Sequence, residues 1–118
     1  MNLTRLLAVV AALSALTAEG KLASWYGDEL RGRPVANGKP FDPDALTAAS
    51  WYFPLGTRVR VTHGTNSVEV LITDRGPNRR FKEREIDLSR AAFKLLAPLD
   101  KGLIAVTVKK ICDCSSCP

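Results

Sequence analysis

Thr57-Arg58-Val59-Arg60-Val61-Thr62-His63, the break Gly64-Thr65-Asn66, and Ser67-Val68-Glu69-Val70-Leu71-Ile72-Thr73 form the stretch from which the fold class is read. Val59 and Val61 alternate with Arg58, Arg60 and Thr62, and Val68, Val70 and Ile72 alternate with Glu69 and Leu71. Successive side chains of a strand point to opposite faces, so a period of two marks strands with one buried face. Two such runs around a Gly-containing break predict a hairpin over 57–73, with His63 as a residue of its mouth rather than a catalyst. The same alternation occurs in Lys21–Tyr26, and 103–111, with Ile104, Val106 and Val108 on one face, predicts the last strand. Between them, Ser89 is a suitable N-cap for one short helix over Arg90–Leu96, which Pro98 stops. A small all-β chain escapes exposed strand edges by closing into a barrel, with the helix over one end. Pro54-Leu55-Gly56 before one strand is echoed by Pro98-Leu99 and Gly102 before another, too briefly to establish a duplication.

The chain has 118 residues, 46% of them hydrophobic and 25% charged, which fits one globular domain and excludes a second core. A domain of this size buries roughly 60 to 70% of its unfolded surface, so its site is expected to be a groove rather than a deep, dry cavity. Seventeen Lys and Arg against twelve Asp and Glu give a formal charge of +5, which favours anionic polymers without choosing among wall glycan, nucleic acid and acidic lipid.

Residues 1–18 read as a signal peptide: Arg5 precedes an apolar run over 6–16 that ends in small residues. That run is shorter than the about 20 residues a membrane helix needs. An uncleaved anchor or a buried N-terminal helix is the alternative. No Cys follows the run, so no lipid-anchor site is read there. The expectation is an exported protein, periplasmic or secreted, with a barrel over 19–111, a Cys-containing tail over 112–118 and no stable membrane span in the mature form. In an oxidising compartment Cys112, Cys114 and Cys117 can make one disulfide with a thiol left over. Three cysteines and the single His63 fall short of a closed zinc site, so no metal and no cofactor are expected.

Six segments in order carry a resemblance: Ala23-Ser24-Trp25-Tyr26-Gly27, Ala36-Asn37-Gly38-Lys39-Pro40-Phe41-Asp42, Leu46-Thr47-Ala48-Ala49, Pro54-Leu55-Gly56-Thr57-Arg58-Val59, Thr73-Asp74-Arg75-Gly76-Pro77 and Ile86-Asp87-Leu88-Ser89. Over roughly residues 21 to 111 they resemble the rare lipoprotein A (RlpA) family of the bacterial cell envelope. The resemblance implies a six-stranded double-psi β-barrel with one or two short helices, related to the expansin and barwin barrels. It also implies an endolytic lytic transglycosylase that cuts peptidoglycan glycan strands lacking stem peptides and leaves 1,6-anhydro ends.

That reaction needs a group that protonates the glycosidic oxygen and then assists the sugar's own 6-hydroxyl. Asp74 is the candidate, because it ends an alternating strand and opens a Gly-Pro loop where a barrel rim meets a groove. An Asp in that position can equally cap the turn by accepting backbone N–H bonds, and the family match favours the catalytic role. Arg75, Arg79, Arg80 and Arg84 lie close in sequence and would favour the charged carboxylate, whereas burial would favour the acid. Those arginines are either a solvated loop or a holder of anionic groups.

The family pattern is broken at two positions, where Lys39 and Ser50 stand in place of the family's Glu and His. Either Asp74 suffices, or the chain is an expansin-like module that binds or loosens wall polysaccharide without cutting it. In that second reading Ser24, Asp74 and Asp87 contact sugar, while Asp87 alternatively supports the helix N-terminus beyond Ser89. Trp25, Tyr26, Trp51 and Tyr52 are candidate stacking surfaces for pyranose rings. Alternation sends Trp25 and Tyr26 to opposite faces, and Tyr26 is assigned to the groove. Substrate contacts are thus expected at Ser24, Tyr26, Lys39, Ser50, Arg75 and Asp87. A nucleic-acid binder is a third class, disfavoured by the export signal.

Overall fold

The computed structural model describes residues 21–112. Six strands, β1 (Lys21–Tyr26), β2 (Thr47–Ser50), β3 (Arg58–His63), β4 (Asn66–Asp74), β5 (Arg84–Ser89) and β6 (Ile104–Cys112), close into a barrel in the order β1-β5-β2-β4-β3-β6. One helix, α1 (Arg90–Leu96), and two short 3-10 turns, Asp28–Leu30 and Leu99–Lys101, complete the described chain. The pairs β1–β5 and β2–β4 are parallel, and the other four are antiparallel. This is the double-psi β-barrel expected from the six ordered segments.

Alternation builds the interior. Val59 and Val61 of β3, Val68, Val70 and Ile72 of β4, and Ile104 and Val106 of β6 are buried in one cluster with Ala23, Ala48, Ile86 and Leu88. The expected hairpin forms with His63 opposite Asn66, and the His63 ring nitrogen meets Ala105 O at 2.7 Å. Helix α1 seals one end through Ala92, Phe93 and Leu96. Its first turn is capped by Ser89 Oγ, which accepts from Ala92 N, so Ser89 rather than Asp87 satisfies the helix N-terminus. Trp25 packs against the same interior, its ring 6.3 Å from Phe93 and its Nε1 donating to Leu99 O at 3.0 Å.

Outside the barrel, the long connection over 27–46 folds back across β1, β2 and β4. Tyr26, Phe41 and Ala49 form a second, smaller apolar cluster there, with Leu30 and Val35 against it. Gly27 lets the chain turn away from β1, because a Cβ at that position would sit 2.8 Å from Cζ3 of Trp25. A charge network pins the connection to α1: Asp28 and Asp44 each pair with Arg31 and Arg90. Cys112, at the end of β6, is disulfide-bonded. The signal-peptide reading, Cys114 and Cys117 fall outside the described residues. Among those residues no helix is long and apolar enough to cross a membrane.

Candidate active site

Register assembles the site from four strands. Ser24 of β1 lies opposite Asp87 of β5, Asp87 lies opposite Ala49 of β2, and Ala49 lies opposite Asp74 of β4. Their neighbours Ala23, Ala48, Ile86 and Leu88 fill the barrel interior, so the row turns outward, towards the 27–46 connection. A bulge between Ala48 and Ala49 brings Asp74 into this row in spite of its even spacing from Ile72. The two carboxylates therefore flank one small side chain across two strand spacings, roughly 10 Å between their Cα atoms.

Asp74 is held at the strand end. Its Oδ1 accepts from Ala36 N at 2.9 Å and from Arg75 N at 2.8 Å, and Asn37 N donates to Thr73 O beside it. The turn-capping geometry is thus present, and it fixes one carboxylate oxygen, while among the described residues no hydrogen bond engages Oδ2. Gly76, two residues on, has a φ of +156°, and a Cβ added there would press on the Cβ of Ala49 at 3.4 Å, so the loop after Asp74 runs close over the row.

Asp87 is more enclosed. Ser24 Oγ donates to its Oδ1 at 3.1 Å. Burial pushes its carboxyl from an ordinary 3.8 up to about 6, against the lowering effects of the Ser24 hydrogen bond and the Arg84 charge, with Asp74 and Glu29 adding to the rise. Tyr26 is only 8% exposed and lies stacked on Phe41 with centroids 4.4 Å apart. Its hydroxyl is buried without a hydrogen-bond partner among the described residues. Burial first, then the charges of Asp74 and Asp87, hold that phenol above its ordinary range, so it stays protonated and offers an O–H beside both acids.

The remaining expected residues are distributed differently. Arg75 turns from Asp74: its Nη1 donates to Ser50 O at 2.8 Å and Phe53 O at 2.6 Å, tying the loop after β2 to the loop after β4. Ser50 is fully buried and its Oγ accepts from Tyr52 N at 3.0 Å, which commits the hydroxyl to the same loop. Lys39 is exposed on a turn and lines a small cleft of about 190 Å³ with Asn37, Phe41 and Thr73, a cleft that neither Asp74 nor Asp87 lines. Ser24, Tyr26, Asp74 and Asp87 are brought together; Ser50 and Arg75 are committed to the loops beside them, and Lys39 stands on an exposed turn apart from them.

Beyond the row, a groove of about 460 Å³ runs past Trp51, Tyr52, Asn78, Arg79, Phe81 and Arg84. Trp51 is anchored by its Nε1, which donates to Pro77 O at 2.6 Å, while Tyr52 is 63% exposed. Sequence reading did not single out Glu29. It lies just past β1 in the first 3-10 turn, its Oε1 accepts from Gly27 N, and its charge reaches Asp87. The available signal was its place three residues after Tyr26, at the end of the strand paired with the one that carries Asp87.

A family model described as lytic transglycolase matches residues 18–108. The chain is 47% identical over 92 residues to the Nostoc sp. protein named "Probable endolytic peptidoglycan transglycosylase RlpA", a match covering 75% of this chain and 24% of that protein. It spans about a quarter of the length of this and other curated relatives that it matches. Among solved structures, the Streptomyces papain inhibitor superposes with a TM-score of 0.64 at 30% identity, covering 77% of this chain and 91% of that one. The apo expansin of Clavibacter michiganensis superposes with a TM-score of 0.63 at 24% identity, covering 79% of this chain and 50% of that one, a likeness of fold.

Proposed function

Because the chain belongs to the lytic transglycolase family of double-psi β-barrels, we propose that it is an exported enzyme that cleaves the glycan strands of peptidoglycan, acting on stretches that lack stem peptides. The observation that carries this reading is the outward row Ser24, Asp87, Ala49, Asp74, in which two half-buried carboxyls stand on either side of one small side chain.

Asp74 is the proposed acid and base. In its protonated form it gives its proton to the glycosidic oxygen as the C1–O bond breaks, and the departing sugar leaves as an alcohol. The resulting carboxylate then takes the proton of the 6-hydroxyl as that oxygen bonds to C1, closing a 1,6-anhydro ring and restoring the acid. No water is consumed. The two backbone N–H groups on Oδ1 fix the carboxyl plane, which leaves Oδ2 to work on substrate. Asp87, able to hold a proton up to about pH 6, binds sugar hydroxyls together with Ser24. Lys39 contributes a cation at the margin, and Ser50 and Arg75 contribute by holding the loop that carries Trp51 and Tyr52.

A second reading, an expansin-like module that binds wall glycan without cutting it, is favoured by one specific observation. The positions where the resembled family has Glu and His carry an exposed Lys39 and a buried, already bonded Ser50, neither of which can replace a carboxylic acid or an imidazole. Incubation of the full chain with sacculi, native or stripped of stem peptides by an amidase, separates the two. Cleavage releases fragments one water lighter than hydrolysis products and without a reducing end, in greater amount from the stripped sacculi. Co-sedimentation without released fragments supports the binding module instead.

A further inference from the structure

Arg79, Lys82 and Arg84 converge on the groove beside Trp51, Tyr52 and Phe81. Arg31, Arg60 and Arg90 have carboxylate partners, whereas among the described residues no carboxylate lies within 4 Å of the charged nitrogens of Arg79, Lys82 or Arg84. Instead, the Arg79 guanidinium lies 4.0 Å from the centre of the Trp51 ring, and that of Arg84 lies 4.3 Å from the centre of Phe81. Stacking on a ring fixes the plane of a guanidinium and leaves its N–H edges available. The Trp51 ring is fixed too, because its Nε1 is tied to Pro77 O. Two forks are therefore held open in a groove that also offers aromatic surface, with Tyr52 mostly exposed.

No acid lines the groove, yet it neighbours the acids: Arg84, one of its lining residues, acts on Asp87, as do Asp74 and Glu29. A polymer with a negative charge on every unit, such as a nucleic acid or a polyphosphate, would bring anions against the carboxylates. A glycan with a carboxylate on alternate sugars avoids this: the charged sugar sits among the arginines while the neighbouring neutral ring meets the acids.

We infer that the Trp51, Arg79 and Arg84 groove is a binding subsite for a sugar that bears a free carboxylate. The inference rests on the proposed peptidoglycan substrate and names the residues that would select its peptide-free stretches, since a muramic acid residue exposes its lactyl carboxylate only where no stem peptide is attached. A planar guanidinium matches such a carboxylate with two parallel hydrogen bonds, and a flat ring covers the C–H face of the pyranose.

The test is calorimetric titration of the full chain with three probes: a peptide-free tetrasaccharide of alternating N-acetylglucosamine and N-acetylmuramic acid, the same tetrasaccharide with its carboxyls reduced to alcohols, and inorganic polyphosphate. The acidic tetrasaccharide is expected to bind about tenfold or more tightly than the reduced one, and polyphosphate to bind more weakly than either. Arg79→Gln and Arg84→Gln should each reduce affinity for the acidic probe towards that of the reduced probe, while hardly changing the latter, which also shows that the groove still folds. Equal binding of the two tetrasaccharides, failure of both to bind, no effect of either substitution, or tighter binding of polyphosphate overturns the inference. The titration needs no bond cleavage. Acid-selective binding without lytic products contradicts the enzymatic reading alone, and lytic products without charge discrimination contradict the subsite alone.

Discussion

Ser24 of β1 donates its hydroxyl to Oδ1 of Asp87 across a parallel strand pair, at 3.1 Å and 63 residues apart in sequence. This bond is the inner end of the row that continues through Ala49 to Asp74. It keeps an acid in place that burial has moved up to about 6, and it ties the chemistry of the site to the closure of the barrel.

Asp87→Asn should therefore stabilise the protein at neutral pH. A raised carboxyl favours folding below its unfolded value of 3.8, and that contribution is lost as the pH rises through about 6. The amide keeps an acceptor for Ser24 and carries no charge to desolvate. Denaturant unfolding should show the two proteins nearly equal at pH 3.5 and the variant more stable at pH 8 by up to about 3 kcal/mol. Equal differences at both pH values contradict the origin of this effect.

Tyr26→Phe should leave the fold intact and stabilise it. The Tyr26 hydroxyl is buried without a partner among the described residues, and such a group costs about 1–3 kcal/mol to hold out of water. Removing only the oxygen keeps the stacking on Phe41. Thermal unfolding of the variant should give a higher midpoint. A lower midpoint would mean that the hydroxyl has a partner in solution.

Arg75→Ala should loosen the loop over 50–53. Two carbonyls, of Ser50 and Phe53, lose their donor, which costs about 1–3 kcal/mol. Hydrogen exchange should quicken at Tyr52 and Phe53 and remain slow in β3 and β4. Uniform exchange across the barrel would contradict a local role for the guanidinium.

The strands with a solvated face were open to sequence reading. In β3 and β4 the valines face inward and the charged residues face outward, so the period of two survives in the sequence. Strand β2 gave no such signal: it has four residues, Thr47-Ala48-Ala49-Ser50, three of them buried, because the 27–46 connection covers its outer face. Strand β5 was legible only as part of the Ile86-Asp87-Leu88-Ser89 motif, its neighbours being distant in sequence.

The site was readable to a similar depth. Asp74 stands where a strand meets a Gly-Pro loop, a local feature. The partnership of Asp87 with Ser24 depends on a parallel pairing, and no local pattern distinguishes it from support of the following helix; in the folded chain Ser89 takes that job. Adjacency suggested that the charge of Arg75 would favour the Asp74 carboxylate, but backbone carbonyls of another loop claim its guanidinium.

Asp74 is proposed both to give and to take the proton during cleavage of the glycan strand. Asn at position 74 can still accept from Ala36 N and Arg75 N, so Asp74→Asn tests the chemistry with the fold conserved. Mass spectrometry of stem-peptide-free sacculi incubated with the full chain should reveal new 1,6-anhydro ends, and the variant should form them about 100- to 10,000-fold more slowly while still binding the sacculi. Equal rates of anhydro-end formation by the two proteins, or none from the unaltered chain, would contradict the account.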